Sequence, residues 1–335
     1  MKILYGIQGT GHGHISRARE ILPLLSEKAE IDVLLSGYNC NMALEDIRII
    51  QKRGISLAYD SNGSVSYLKT AKQLQPVTFL QDVNSLNVKN YDLVISDYEP
   101  VTAWAAIHSK VLSVGLSHQA AFLSPKSPRP ARRSLMAEQV LKHFAPCNRP
   151  VGFHFRRYDS FILPPIIRKD VRELQTTTGN HVTVYLPAFD HQTLVSIFRK
   201  CDSVDWHLFS PLCDQPYVKE NVQVFPVGNK PFLESMKRSV GVVTSAGFET
   251  CAETMYLGKK LLVIPIRNQY EQLCNAAALN KLGVHVISKL DATFKDKIDL
   301  WLSDGAVVHL DEAADTEHLT DKLVRFAFRK QKRPV

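Results

Sequence analysis

The stretch TSAGFETCAETMYLGKKLLVIPIRNQYEQLCNAAALNKLG, residues 244–283, decides the fold. Its pattern predicts, in order, a strand end, a turn of small residues, a helix, a buried strand, a polar loop and a second helix. The small side chains of Ser245, Ala246 and Gly247 let a phosphate approach backbone N–H groups where the helix begins. The polar loop 267–272 follows the buried strand at its carboxyl end, where open α/β sheets bind ligands. The stretch therefore predicts a site for a nucleotide-linked ligand.

Outside this stretch, strand and helix patterns alternate in two series. The first series predicts strands at 2–7, 31–36, 56–59, 93–96 and 110–116, and helices at 15–28, 41–52 and 100–108. The second predicts strands at 182–186, 206–210, 222–224, 240–244, 260–264 and 284–287, and helices at 190–199, 230–236, 248–257 and 270–281. Continuous apolar runs are typical of parallel strands that are buried on both faces. We therefore predict an α/β protein with two Rossmann-like domains, 1–162 and 166–311, and a cleft between them. A linker at 161–165, stiffened by two prolines, joins them.

Composition and charge set limits on the class of protein. Of the 335 residues, 45% are hydrophobic and 22% are charged, which is typical of a soluble globular protein. The scattered cysteines form no C-x-x-C pair, so we expect neither structural disulfides nor a metal site, and we expect a cytoplasmic location. The first residues read as a strand rather than a signal peptide. A net charge of +8 permits an anionic partner, although no nucleic-acid recognition motif accompanies it.

A second motif follows the first predicted strand, Gly9-Thr10-Gly11-His12-Gly13-His14. Its glycines alternate, so the G-x-G-x-x-G spacing of dinucleotide-binding proteins fails. The loop resembles the G-x-G-H loop of GT-B glycosyltransferases, and 244–283 resembles their donor-binding half. The chain is most similar to the MurG-type N-acetylglucosaminyltransferases and related glycolipid enzymes. The resemblance implies that a helix in the last segment, 312–335, crosses back to the first domain.

The resemblance also implies roles at the donor site. Glu253 would hold the ribose hydroxyls, and the turn 245–247, with a basic side chain such as Arg267, would stabilise the leaving diphosphate without a metal or other cofactor. Glu271 and Gln272 would contact the sugar hydroxyls, although the family often has two glutamines there. The full set of predicted donor-binding residues is Gly11, Gly13, Ser245, Ala246, Gly247, Glu249, Glu253, Arg267, Gln269, Glu271, Gln272 and Asn275. Glu249 alternatively only complements the helix dipole.

Glycosyl transfer needs a base that takes the proton of the acceptor hydroxyl. The G-x-G-H spacing fits both His12 and His14; we favour His14, and either residue alternatively binds phosphate or caps the helix. Asp97 and Glu99 follow a buried strand, where they are candidates for a base or an acceptor ligand, or serve as ordinary turn and N-cap residues. His118 and Gln119 end another strand and are predicted to line the acceptor side of the cleft.

The predicted function is transfer of a hexosyl or N-acetylhexosaminyl unit from a nucleotide sugar, favouring UDP, to a lipid-linked or saccharide acceptor. Two alternatives stay open: a UDP-sugar 2-epimerase, and a non-catalytic protein that binds a sugar nucleotide. The basic loop 125–133 precedes an amphipathic helix pattern at 134–145. That pair would touch the inner face of an anionic membrane where a lipid acceptor lies, or is a solvated loop beside a packed helix.

Overall fold

The first half of the chain forms one parallel sheet. The structure is a computed structural model that describes residues 1–9, 12–37, 47–55, 75–291 and 293–331. In this part of the chain the first sheet has the order β3-β2-β1-β4-β5-β6-β7. Its strands are β1 (Lys2–Gln8), β2 (Glu30–Ser36), β3 (Arg48–Lys52), β4 (Leu93–Asp97), β5 (Ser113–Ser117), β6 (Arg149–Phe153) and β7 (Ile162–Leu163).

The second half forms a sheet of the same kind, in the order β10-β11-β9-β8-β12-β13-β14. Within the described ranges only its edge pair, β10 with β11, is antiparallel. Its strands are β8 (His181–Tyr185), β9 (Asp205–Ser210), β10 (Tyr217–Lys219), β11 (Val222–Pro226), β12 (Gly241–Thr244), β13 (Lys260–Val263) and β14 (His285–Val286).

Helices connect the parallel strands and cover the sheets. Crossover helices are required because parallel neighbours cannot be joined by a tight turn. The α-helices are α1 (His12–Ser26), α2 (Pro76–Ser85), α3 (Pro100–His108), α4 (Leu135–His143), α5 (Lys169–Arg172), α6 (His191–Phe198), α7 (Asn229–Arg238), α8 (Phe248–Tyr256), α9 (Tyr270–Lys281), α10 (Phe294–Asp304) and α11 (Thr316–Gln331). None of the described helices is long and apolar enough to cross a membrane. Short 3-10 helices lie at Val88–Asn90 and Gln119–Leu123.

The central strands are buried, as their apolar runs predict. All five residues of β4 and all four of β12 are buried. Because the strands within each sheet centre run parallel, their carboxyl ends meet at one edge, and both edges open onto the space between the domains. This arrangement confirms two Rossmann-like domains with a cleft between them.

The last helix returns to the first domain, as predicted. Lys28, just after α1, donates from Nζ to Asp321 Oδ1 on α11 at 2.7 Å. The guanidinium of Arg149 on β6 lies 5.4 Å from the ring centre of Phe326. Helix α11, near the end of the chain, therefore packs against the first domain.

Two predicted segments differ from the structure. The helix predicted at 41–52 is wrong at its end, where β3 pairs with β2 in the register Asp32↔Arg48. The two isoleucines of β3 favour a strand, and pairing with β2 outweighs the local helix propensity of this segment. The beginning of that segment, and the strand predicted at 56–59, lie outside the described residues. The predicted linker also contains β7, which extends the first sheet to Leu163.

Candidate active site

Two cavities lie side by side between the domains. The Glu253 cavity has a volume of about 210 Å³ and is lined by Gly13, Ser16, Arg168, Tyr185, Val227, Gly228, Asn229, Phe232, Gly247, Glu249, Thr250 and Glu253. The His14 cavity has a volume of about 190 Å³ and is lined by Gln8, Gly13, His14, Arg17, Tyr98, His118, Gln119, Phe144, Gly247, Phe248, Glu249, Gln269, Glu271 and Gln272. They share Gly13, Gly247 and Glu249, so one elongated ligand would pass the start of α8 to occupy both.

The turn between β4 and α3 separates two carboxylates that are close in sequence. Tyr98 has a φ of 53°, a left-handed conformation that non-glycine residues adopt rarely. Glu99 points into the protein, is 0% exposed, and caps α3 by accepting from the backbone N–H groups of Val101 and Thr102. Of the two roles predicted for Glu99, the structure therefore shows the N-cap role, and the prediction of a base or acceptor ligand is wrong because the side chain lines neither cavity in the described structure. Asp97 turns towards α1 instead.

Asp97 holds a histidine and an arginine of α1. His14 Nδ1 lies 2.7 Å from Asp97 Oδ1. Arg17 donates to the same carboxylate from Nε and Nη2, at 2.8 Å each. Because Asp97 accepts from Nδ1–H of His14, Nε2 is the nitrogen left with a free electron pair. The structure thus presents a carboxylate-oriented histidine at the wall of the His14 cavity.

The charges in this cluster support one another. Burial alone raises the pKa of Asp97, but the charge of Arg17 and the hydrogen bonds from His14 and Arg17 outweigh it and hold the pKa below its ordinary value. Burial lowers the pKa of Arg17, and the Asp97 carboxylate more than reverses that effect. Asp97 is therefore an ionised, fully buried acceptor that fixes the position of His14.

Arg17 also reaches across to the second domain. Its Nη1 donates to Glu249 Oε1 at 3.0 Å. A β-carbon on Gly13 would lie 2.5 Å from the Glu249 carboxylate, so a glycine is needed there for this approach. Glu249 thus ties the start of α8 to the start of α1 in addition to complementing the helix dipole.

Of the small-residue turn, Gly247 is the residue that lines both cavities. It is the N-cap of α8 and leaves the first N–H groups of that helix without a side-chain cap. No atom lies within 4 Å of a β-carbon built on Gly247, so the space in front of it is open. Ser245 and Ala246 are buried behind it. The start of α8 is therefore open to an anion.

A polar pair from both domains supports this turn. Asn275 is 0% exposed and donates from Nδ2 to the carbonyl of Ala246 at 3.0 Å. Its Oδ1 lies 2.8 Å from His118 Nε2, while His118 Nδ1 lies 2.8 Å from the carbonyl of Phe153. The His118 ring stacks on Phe248 at 3.9 Å. Asn275, predicted to bind the donor, is thus engaged by protein groups and positions the turn.

Glu253 lines the Glu253 cavity and forms an ion pair with Arg168, the N-cap residue of α5. Arg168 donates to both carboxylate oxygens, at 2.5 Å and 2.8 Å. Burial raises the pKa of Glu253 although Arg168 opposes that shift. Each carboxylate oxygen retains lone pairs for further hydroxyl donors. Sequence reasoning missed Arg168, because nothing in its neighbourhood along the chain points to the cavity.

The polar loop 267–272 contributes to the other cavity. Glu271 accepts from Gln119 Nε2 of the first domain at 3.0 Å. The side-chain oxygen of Gln272 accepts from the backbone N–H of Ile266 at 2.9 Å. The side-chain amide nitrogen of Gln272 is not used by this hydrogen bond. Arg267 is exposed and is not part of the lining of either cavity among the described residues.

The glycine loop is only partly described. Gly11 lies outside the described residues, and so does the side chain of His12, whose backbone begins α1. His14 is described, and its placement is the one reported above. The choice of His14 over His12 as the base stays a prediction.

Two Rossmann-like domains with paired cavities between them define the GT-B class of glycosyltransferases, and comparison with known proteins agrees. A. baumannii MurG has a TM-score of 0.62 at 13% identity, covering 97% of this chain and 99% of that one. Phytolacca americana UGT2, complexed with UDP-2fluoro-glucose and pterostilbene, has a TM-score of 0.61 at 14% identity, covering 99% and 94%. Arabidopsis thaliana UGT89C1, complexed with UDP, has a TM-score of 0.60 at 14% identity, covering 97% and 99%. At these identities the likeness shows the fold alone.

The sequence defines the family. Residues 1–304 match Glycosyl transferase family 1, and the chain belongs to that family. An uncharacterised glycosyltransferase of Methanosarcina acetivorans is 26% identical over 328 residues, which cover 84% of this chain and 82% of the relative. The protein is therefore a glycosyltransferase, and the predicted resemblance to MurG-type GT-B enzymes is confirmed.

Proposed function

We propose that the enzyme transfers a hexosyl or N-acetylhexosaminyl unit from a UDP-sugar, with His14 as the base. The observation that carries this is the buried contact between His14 Nδ1 and Asp97 Oδ1 in a histidine that lines the cavity. Deprotonation of the acceptor hydroxyl at Nε2 produces an imidazolium, which the Asp97 carboxylate stabilises. The hydroxyl oxygen then attacks the anomeric carbon, and the nucleoside diphosphate leaves.

The two cavities suit the two ends of such a donor. In the Glu253 cavity, Tyr185 and Phe232 offer aromatic surface for a base, and the Glu253 carboxylate is placed to accept from ribose hydroxyls. Gly247 and the uncapped start of α8 lie where the cavities meet, which suits the diphosphate. We propose that these backbone N–H groups stabilise the leaving diphosphate without a metal. Activity that survives a chelator would support this proposal, and activity restored only by a divalent cation would contradict it.

We also propose that the acceptor is lipid-linked and met at the inner face of an anionic membrane. At the start of α4, Leu135 is 82% and Met136 is 62% exposed, and only Ser134 separates them from the exposed Arg132 and Arg133. Apolar side chains beside positive charge are typical of segments that dock on anionic lipid surfaces. Just after the other end of α4, Phe144 lines the His14 cavity. A docked α4 would therefore lie beside the route of an acceptor.

Vesicle binding tests the membrane proposal. We expect co-sedimentation with phosphatidylglycerol vesicles but not with phosphatidylcholine vesicles, and loss of binding in Leu135→Ser. Leu300, 54% exposed on α10 of the second domain, provides the matched control Leu300→Ser. If both variants bind the vesicles as well as the wild type does, α4 is not the membrane contact. If none of the three proteins binds, the membrane proposal is wrong.

Donor binding and turnover test the activity. Calorimetry with UDP-, GDP- and TDP-sugars should show one nucleotide bound, and Glu253→Ala should abolish that binding. His14→Ala should retain binding and lose transfer. Turnover of the donor sugar to an epimer without any acceptor would favour the epimerase alternative, and an output unaffected by His14→Ala would favour a non-catalytic binding protein.

A further inference from the structure

The hydrogen bonds of His118 require both of its ring nitrogens to donate. Its Nδ1 lies 2.8 Å from the carbonyl oxygen of Phe153, and its Nε2 lies 2.8 Å from Oδ1 of Asn275. A carbonyl oxygen can only accept a hydrogen bond. The orientation of the Asn275 amide is fixed in turn, because its Nδ2 donates to the carbonyl of Ala246 at 3.0 Å. Both partners of His118 are therefore acceptors, and a ring that donates from both nitrogens is an imidazolium.

The rings that surround His118 agree with a positive charge on it. His118 and Phe248 stack with their ring centres 3.9 Å apart and their planes 7° apart. The face of an aromatic ring is the negative part of its charge distribution, so it favours a cation above it. The ring centre of His154 lies 5.2 Å from that of His118. Burial first, and then the charge of His118, lower the pKa of His154 well below its ordinary value, so the pair carries its positive charge on His118.

This buried charge has no carboxylate partner in the described structure. His118 is 1% exposed, and the two oxygens that its nitrogens contact are neutral. The carboxylates that line the same cavity are engaged by other side chains, Glu249 by Arg17 and Glu271 by Gln119. A buried cation without a counter-ion is costly, so it indicates an anion that binds beside it.

The start of α8 offers a place for that anion. Phe248, which stacks on His118, is the first residue of α8, and the N-cap residue Gly247 has open space in front of it. His118, Gly247 and Phe248 all line the His14 cavity. An anion at this helix N-terminus would therefore be stabilised by the helix dipole of the second domain and by the His118 charge of the first.

We propose that His118 is a positively charged positioning residue for the diphosphate of the donor. Its charge stabilises the diphosphate as it leaves, and its Nε2–H connects the end of β5 to the turn 245–247 through Asn275. The first domain thereby takes part in holding the donor as well as supplying the base. This inference rests on the proposed function, since it assumes a nucleoside diphosphate at the start of α8.

Nuclear magnetic resonance of the wild-type enzyme tests the charge directly. When the histidine rings carry a nitrogen isotope label, an imidazolium shows two protonated nitrogens and a neutral ring shows only one. The His118 signals are assigned by their contacts with the rings of Phe248 and Phe122, whose centres lie 3.9 Å and 4.9 Å away. We expect two protonated nitrogens on His118 at neutral pH. A neutral His118 ring there would overturn the inference.

Calorimetry then measures the effect of this charge on diphosphate binding. His118→Gln removes the charge and keeps an amide that can donate to one of the two acceptors. We expect this variant to bind UDP roughly tenfold more weakly, and to bind uridine, followed by resonance titration, with unchanged affinity. His318→Gln makes the same chemical change at an exposed histidine outside both cavity linings and should change neither affinity.

The comparison of UDP with uridine separates the charge from the fold. Equal UDP affinity in His118→Gln and the wild type would overturn the inference, while UDP binding itself would still support the proposed function. Equal losses for UDP and uridine would show that His118 only supports the fold, which also overturns it. Failure of the wild type to bind UDP, GDP or TDP would overturn the proposed function and the diphosphate site with it.

A wild-type titration replaces the variant if His118→Gln does not fold. The His118 ring signals should shift when UDP is added and should not shift with uridine, because only UDP places negative charge beside the ring. Signals that UDP leaves unchanged would overturn the inference.

Discussion

Asp97→Asn is the substitution that tests the catalytic cluster most directly. The carboxylate is 0% exposed and accepts from His14 at 2.7 Å and from Arg17 at 2.8 Å twice. Asparagine keeps the shape but replaces one acceptor oxygen with an amino group. That group must face a donor of His14 or Arg17, and the buried guanidinium keeps only the Glu249 carboxylate as a counter-charge.

Two magnitudes follow from this geometry. Removing one partner of a buried ion pair costs about 3–5 kcal/mol, which corresponds to a fall of roughly 6–20 °C in the melting temperature of a domain of this size. A misoriented base lowers kcat by about 10²- to 10⁴-fold. Binding of the nucleotide should change little, because Asp97 is not part of the Glu253 cavity lining in the described structure.

The assay measures kcat, nucleotide affinity and melting temperature for Asp97→Asn and for a matched control. Asp190→Asn makes the same chemical change at the exposed N-cap of α6, where asparagine caps as well as aspartate, so we expect no change in any readout. Because the pKa of Asp97 is lowered in the fold, its contribution to stability is present above its ordinary pKa and is lost as pH falls through the folded value. A folded Asp97→Asn enzyme with kcat within threefold of wild type would refute the orienting role.

Three further predictions concern binding and stability. Glu253→Gln should weaken UDP roughly tenfold by calorimetry, because an ionised acceptor is lost; unchanged affinity would move the ribose elsewhere. Gly152→Ala should lower the free energy of unfolding in urea by about 1–3 kcal/mol, because the new β-carbon would lie 2.6 Å from backbone atoms of Ala121. Gly247→Ala, where the space is open, should instead retain stability and lose nucleotide affinity. Burial and then the neighbouring histidine lower the pKa of His207 to about 4, so only the unfolded chain takes up this proton as pH falls from its ordinary pKa of 6.5 towards 4. Stability should fall over that range and fall less in His207→Phe; identical slopes would contradict this.

Much of the fold could be predicted because its signals are local. The apolar runs of β1, β4 and β12 mark buried parallel strands without knowledge of their neighbours. The prediction of a helix at 48–52 is wrong because the conformation of this segment depends on pairing with a neighbouring strand, which is not a local signal. Local patterns also predicted which loops lie at the carboxyl edges of the sheets, and with them ten of the residues that line the two cavities.

The sequence by itself determined the two α/β halves, the glycine loop at the start of α1 and the small-residue turn at the start of α8. Each of these features depends on residues that are neighbours along the chain. Only the tertiary structure decided the roles of the charged residues. Asp97 and Glu99 look equivalent in sequence, yet one orients His14 and the other caps a buried helix. Arg17 and Arg168 carry no sequence signal, since their partners Glu249 and Glu253 are distant along the chain and meet them only once the chain is folded.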